Sequence, residues 1–312
     1  MPIRTFPLLF CLSTFAWSAE MRTWTSQDNR TVDAEFVKVE SGRVWLKLAG
    51  GKEVATPFEN LSAADQTLVR ELYKKAQEKE LADQKAAELA AEKKRAAMRE
   101  RWKPGEVVSC TTKGDHRVTY HVYVPTSFDF DQPPPMIYGF SPSGNGRGIL
   151  GQLRESAEKA GWIVVGCDKL KNSMGNRELE LLLEDEILAD VAAEVPHDPE
   201  RVYLSGASGG AMRCYDIAHR RIDVQFAGII AFGGWLGGSD YQSRKYPKRM
   251  AVAIVNGDKD EGANAWVQSD IEALKRYRWE AKHISFPGGH VVAPPAVIDQ
   301  AIEWIKQQPL PK

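Results

Sequence analysis

The sequence predicts an α/β protein: a mostly parallel sheet with helices on both faces, preceded by a small all-β unit and a long helical linker. Three observations predict it. Apolar, β-branched runs alternate with helical stretches from residue 106 onward; short alternating segments broken by Ser41-Gly42 and Gly50-Gly51 fill residues 22–61; and residues 62–102 contain neither Gly nor Pro. The 312 residues suffice for two domains. With 41 basic against 42 acidic residues, and no basic stripe interleaved with aromatics, the composition argues against nucleic acid and anionic membrane surfaces as partners.

Residues 1–19 carry Arg4, an apolar run from Phe6 to Phe15, then Ala16, Ser18 and Ala19. That order reads as a cleaved signal peptide, so a periplasmic or secreted protein is expected, with no membrane span after cleavage. Cys11 leaves with the peptide, and the odd number that remains (Cys110, Cys167, Cys214) argues for small core residues over a disulfide framework. Residues 20–61 are the small β domain. In "TVDAEFVKVE" the members Val32, Ala34, Phe36 and then Val37 or Val39 have the period of a half-buried strand. Residues 62–103 form the charged helix, opened by Ser62-Ala-Ala-Asp65. Its leucines (Leu68, Leu72, Leu81, Leu89) are sparse and irregular, which favours a spacer, with a coiled coil as the alternative. Pro104-Gly105 ends it, and residues 104–312 form the α/β domain.

Strands are expected at 118–124, 136–141, 162–167, 201–205, 227–232, 250–257 and 282–286, with helices such as 178–195 between them. Gly206-Ala207-Ser208-Gly209-Gly210 follows one strand and opens a helix. This is where a strained turn exposes a nucleophilic serine, and only tiny neighbours let the chain pass; a helix N-cap serine is the alternative. A serine hydroxyl needs a base, and the base needs a carboxylate to orient it. Of six histidines, only His290 follows the last strand in a turn, "FPGGHVVAPP". His116 and His121 sit in or beside an early strand, His197 in a turn, His219 on the helix after the serine and His283 within a strand. Asp260, three residues after Gly257, is the candidate acid; Asp258 is its rival and Asp240 a more distant one. The backbone N–H of Gly209 is the first candidate oxyanion donor. Trp235 and Tyr241 are candidate substrate-stacking residues, and Lys169, Lys171, Asn172 and Arg147 candidates for the rim. No His, Cys or Asp cluster has metal-ligand spacing, so neither metal nor organic cofactor is implied.

Two resemblances add to this reading. Residues 22–72 resemble the small SH3-like Sla-type homology domain through Arg22-x-Trp24-Thr25, "AEFV" at 34–37, "GKEV" at 51–54 and "LSAADQ" at 61–66. That implies an interaction or anchoring module with a protein or cell-envelope ligand; a spacer without ligand is the alternative. Residues 106–308 resemble the α/β-hydrolase family, and within it small exported esterases of the feruloyl-esterase and polyester-depolymerase type, through "DPERVYLSGASGG" and "FPGGH". The order Ser208, Asp260, His290 is that of the family. The resemblance implies hydrolysis of carboxylic esters through an acyl-enzyme. One departure stands out: relatives carry a His-Gly pair after the third strand, whereas this chain reads Phe140-Ser141-Pro142-Ser143. Proline has no N–H, so Ser141 or Ser143 is expected to supply the second oxyanion donor. Seventeen residues (233–249) between two strands are too few for a helical cap, so an open site for bulky or polymeric esters (acylated polysaccharide, polyester) is expected. A serine peptidase of the same fold, or a non-catalytic protein acting through its N-terminal module, are the alternatives.

Overall fold

The computed structural model describes residues 21–238, 242–243, 246 and 249–311; the expected signal peptide, Asp240 and Tyr241 lie outside them. The described residues fall into two compact units, divided between Lys94 and Arg95.

In the first unit, β1 (Arg22–Thr25), β2 (Thr31–Glu40), β3 (Arg43–Leu48) and β4 (Glu53–Pro57) pair in sequence order as an antiparallel sheet. Its core is Trp24, Ala34, Phe36, Val44 and Leu46, with Leu61 and Val69. A register shift between Phe36 and Lys38 settles the alternation in β2: Val37 takes up the irregularity, and Val39 joins Ala34 and Phe36 on the inner face, opposite Val44. Val32, expected inside, is exposed instead. Helix α1 (Ala63–Arg101) begins as its cap residues require. The Ser62 Oγ accepts the Asp65 N–H at 3.2 Å, and the buried Asp65 carboxylate accepts from the Thr25 N–H (2.7 Å) and from Arg22 (2.8 Å).

The second unit takes in the end of α1, because Met98 packs on its core and Arg101 pairs with Glu194 at 2.5 Å. Trp102 is fully buried, its Nε1–H donating to the Glu194 carbonyl at 3.1 Å. The sheet contains β5 (Val107–Thr111), β6 (Thr119–Tyr123), β7 (Met136–Phe140), β8 (Ile163–Cys167), β9 (Val202–Ala207), β10 (Phe226–Phe232), β11 (Ala251–Gly257) and β12 (Glu280–Phe286), in the order β12-β11-β10-β9-β7-β8-β6-β5. Strands β7 to β12 run parallel; β6 is antiparallel to both of its neighbours. Strand β5 was not among the expected strands. The central strands β7, β8, β9, β10 and β11 are buried on both faces, which is why they read as continuous apolar runs.

Helices α2 (Gly146–Ala160) and α7 (Pro295–Lys306) supply apolar residues to one face. Helices α3 (Arg177–Glu194), α4 (Gly209–Arg220) and α6 (Val267–Arg276) supply the other, and a single turn, α5 (Glu261–Asn264), precedes α6. Cys110, Cys167 and Cys214 are free and buried, and burial pushes the Cys167 and Cys214 thiols up. Among the described residues no helix is long and apolar enough to cross a membrane.

Trp102→Ala removes a fully buried indole and its hydrogen bond from the second unit, so urea unfolding of that unit should show a loss of about 3–5 kcal/mol. An unchanged midpoint would place the helix end outside its cooperative core.

Candidate active site

The serine turn is built from contacts that exclude side chains. A Cβ on Gly206 would lie 2.3 Å from the Gly210 carbonyl carbon, and one on Gly210 would lie 2.2 Å from the Phe140 carbonyl oxygen. Strand β9, the first turn of α4 and the end of β7 therefore pack backbone to backbone, which only glycine permits. Between these glycines Ser208 is held at φ 53°, ψ −122°, a strained conformation for a residue with a side chain. Its N–H donates to the Phe232 carbonyl at 2.8 Å, and its carbonyl accepts the Ala211 N–H at 2.9 Å. Ser208 stands at the N-cap position of α4, but its side chain makes no capping bond to the helix. Gly209 stands at the first helical position, where an N–H has no intrahelical acceptor and points toward any negative charge above the turn.

His290 follows β12 on a turn pinned from the end of β11. The Asp258 carboxylate accepts the Gly288 N–H at 2.9 Å, the Lys259 N–H donates to the Gly288 carbonyl at 2.8 Å, and a Cβ on Gly257 would lie 2.3 Å from the Gly289 carbonyl. Two residues on, Asp260 is buried, with Oδ2 2.7 Å from His290 Nδ1 and Oδ1 accepting the Ala263 N–H of α5 at 3.2 Å. The two neighbouring aspartates thus divide their work: Asp258 fixes the loop and Asp260 the imidazole. Gly233, at φ 55° after β10, closes the arrangement; a Cβ there would lie 3.1 Å from both Asp260 Oδ2 and His290 Nδ1.

Ser208 and His290 line one cleft of about 320 Å³ whose walls are otherwise largely apolar, including Ile149, Phe232 and Val292. Of the two serines offered as oxyanion donors, Ser141 lines this cleft and Ser143 does not. Ser143 turns back on the loop: its N–H donates to Ser141 Oγ at 3.3 Å, and the two hydroxyls are 2.9 Å apart. Trp235 does not line the cleft either. It stacks on Trp266 (centroids 6.5 Å apart, 12° between planes), a partner that sequence reading missed because the two lie on different loops. The next residue, Leu236, donates its N–H to the buried Asp270 carboxylate at 2.9 Å, which holds this loop in place. Among the described residues no His, Cys, Asp and Glu cluster could hold a metal ion.

Comparison with known proteins agrees with this architecture. Residues 13–77 match the model of SLA1 homology domain 1. No curated protein matches the chain. Solved structures similar to it include S-formylglutathione hydrolase from Staphylococcus aureus (13% identity, 65% of this chain and 98% of that one, TM-score 0.51). A putative dienelactone hydrolase from Klebsiella pneumoniae gives 14% identity over 65% of this chain and 99% of that one, with a TM-score of 0.51. Thermogutta terrifontis esterase 2, in a form phosphoramylated by tabun, gives 16% over 66% and 95%, with a TM-score of 0.50. At such identities the likeness carries the fold. The chain thus carries an N-terminal match to SLA1 homology domain 1, and its second unit has the α/β-hydrolase fold of these solved structures.

Proposed function

We propose that the chain is an exported serine hydrolase that cleaves carboxylic esters. The single observation that carries this reading is the 2.7 Å contact of His290 Nδ1 with the buried Asp260, on a histidine that shares a cleft with a serine held on a strained strand-to-helix turn. Asp260 fixes the tautomer, leaving Nε2 to take the Ser208 proton as Oγ attacks the ester carbonyl. The Oγ–C bond forms and the carbonyl electrons move to oxygen, which the N–H of Gly209 stabilises together with a donor at Ser141. Collapse of this intermediate breaks the bond to the alcohol, which leaves with the proton from His290. Water then repeats the sequence on the acyl-enzyme and frees the acid. The short segment 233–249 supports an open site that admits polymeric esters. The N-terminal unit is proposed to bind a protein or cell-envelope ligand, consistent with its match to a homology domain.

A fluorophosphonate probe on the purified protein should label Ser208, found by mapping the modified peptide. Ser208→Ala should abolish labelling and lower p-nitrophenyl ester turnover by several orders of magnitude with little change in thermal unfolding. Labelling elsewhere would refute the nucleophile assignment, and faster turnover of aminoacyl anilides than of esters would indicate a peptidase.

The two aspartates are separable. Asp260→Asn should lower kcat about 10⁴-fold, the scale seen when another triad loses its carboxylate. In Asp258→Asn an amide oxygen can still accept the Gly288 N–H, so most activity should survive with a stability loss of about 1 kcal/mol or less. The reverse pattern would move the acid to Asp258.

Gly233→Ala presses a methyl group against the Asp260–His290 contact from a left-handed backbone position. It should cost kcat at least about tenfold, since small misplacements at a reacting centre are expensive. Full activity in a folded variant would show that the pair tolerates displacement.

A further inference from the structure

A second cleft, of about 500 Å³, lies on the other side of Gly209. Arg177, Glu180, Arg213 and Asp216, which line it, belong to a closed ring of six alternating charges. Arg177 pairs with Glu180 (3.1 Å), Glu180 with Arg213, Arg213 with Glu184, Glu184 with Arg220, Arg220 with Asp216 (3.0 Å), and Asp216 with Arg177. Three guanidinium groups meet three carboxylates, so the ring has no net charge. Arg213 and Glu184 are buried within it, and Arg177 is half exposed at the mouth. Two guanidinium groups and two carboxylates line the cleft, so it favours neither an anion nor a cation. With the Asn172 amide and the Ser173 hydroxyl beside them they offer both donors and acceptors, which suits a neutral ligand rich in hydroxyl groups.

Asn172 connects this cleft to the reacting centre. Its backbone N–H donates to the Pro142 carbonyl at 2.8 Å, and its side chain lies where a Cβ on Gly209 would be, 2.0 Å from that position at Oδ1. The exposed amide therefore borders the proposed oxyanion donor directly. The leaving alcohol must stay beside His290, which lines the apolar cleft, so the acyl substituent is the part free to extend past Gly209.

We propose that the charge-ring cleft is the acyl subsite and that it takes a neutral, hydroxyl-bearing acyl group such as a sugar acid; this rests on the esterase reading above. The test uses Ser208→Ala protein, in which binding is read apart from chemistry, with methyl glucuronate and methyl cyclohexanecarboxylate as probes of similar size and the same leaving group. Ligand-observed NMR titration should show tighter binding of the uronate ester. Opening the ring with Arg177→Met, or making its rim apolar with the exposed Asn172→Leu, should weaken uronate binding at least fivefold and leave cyclohexanecarboxylate binding within twofold. Equal binding of the two esters, or uronate binding unchanged in both variants, would overturn the proposal. If the uronate ester binds in this pattern but the wild-type chain hydrolyses neither methyl ester nor p-nitrophenyl acetate, the subsite stands and the esterase reading falls.

Discussion

The backbone-to-backbone packing around Ser208 is the constraint on which the rest of the site depends. Gly206 meets Gly210, Gly210 meets the end of β7, and the Ser208 N–H is bonded to the end of β10. Both strands that flank β9 therefore hold the turn, and the position of the hydroxyl is a property of the sheet. A positive φ at a residue with a side chain costs about 1–3 kcal/mol, and such strain persists only where its surroundings over-determine it. Here they do: β7, β9 and β10 are almost wholly buried, and Gly234 lies close enough that a Cβ on it would be 3.0 Å from the Ser208 carbonyl. The same packing sets the distance from the turn to Gly233, and through Gly233 to the Asp260–His290 pair.

How much of this was legible in the sequence follows from the kind of constraint each residue obeys. A steric requirement writes itself as composition, so the Gly206–Gly210 run, the Gly288-Gly289 turn and the Ser62–Asp65 cap could be read directly. The irregularity at Val37 could not, because residues on either side of it each keep a valid alternation and only pairing with β3 decides between them. Strand β5 was missed for a similar reason: "VVSCT" is an edge segment with exposed Ser109 and Thr111, recognisable by its pairing with β6 and not by an apolar run. The Trp235–Trp266 stack and the charge ring join residues far apart in the chain, whose types are those of any solvated loop or helix face.

The two helical faces of the sheet give the candidate site its two chemically different sides. Over the α2 and α7 face, Ile149 and Phe232 wall the cleft that holds Ser208 and His290; over the α3 and α4 face, ion pairs wall the cleft beyond Gly209. Burial raises the Glu184 carboxyl pKa even with Arg213 and Arg220 against it, so the ring is a costly feature for a surface that serves packing alone.

The pair Asp258 and Asp260 shows why spacing at a strand end carries chemical information. The two residues after β11 bond to the end of β12 and the loop beyond it: the Asp258 N–H donates to the Phe286 carbonyl and the Lys259 N–H to the Gly288 carbonyl. A carboxylate at 258 is still in register with that ladder and finds a backbone N–H. Only after the chain has turned, with the Asp260 N–H donating back to the Gly257 carbonyl at 3.0 Å, does a side chain face the imidazole from below. The bare Cα of Gly257 lets the histidine loop approach the strand end closely enough for that contact. The G-x-x-D interval is thus the length of the turn itself, and it brings Asp260, and not Asp258, to the imidazole.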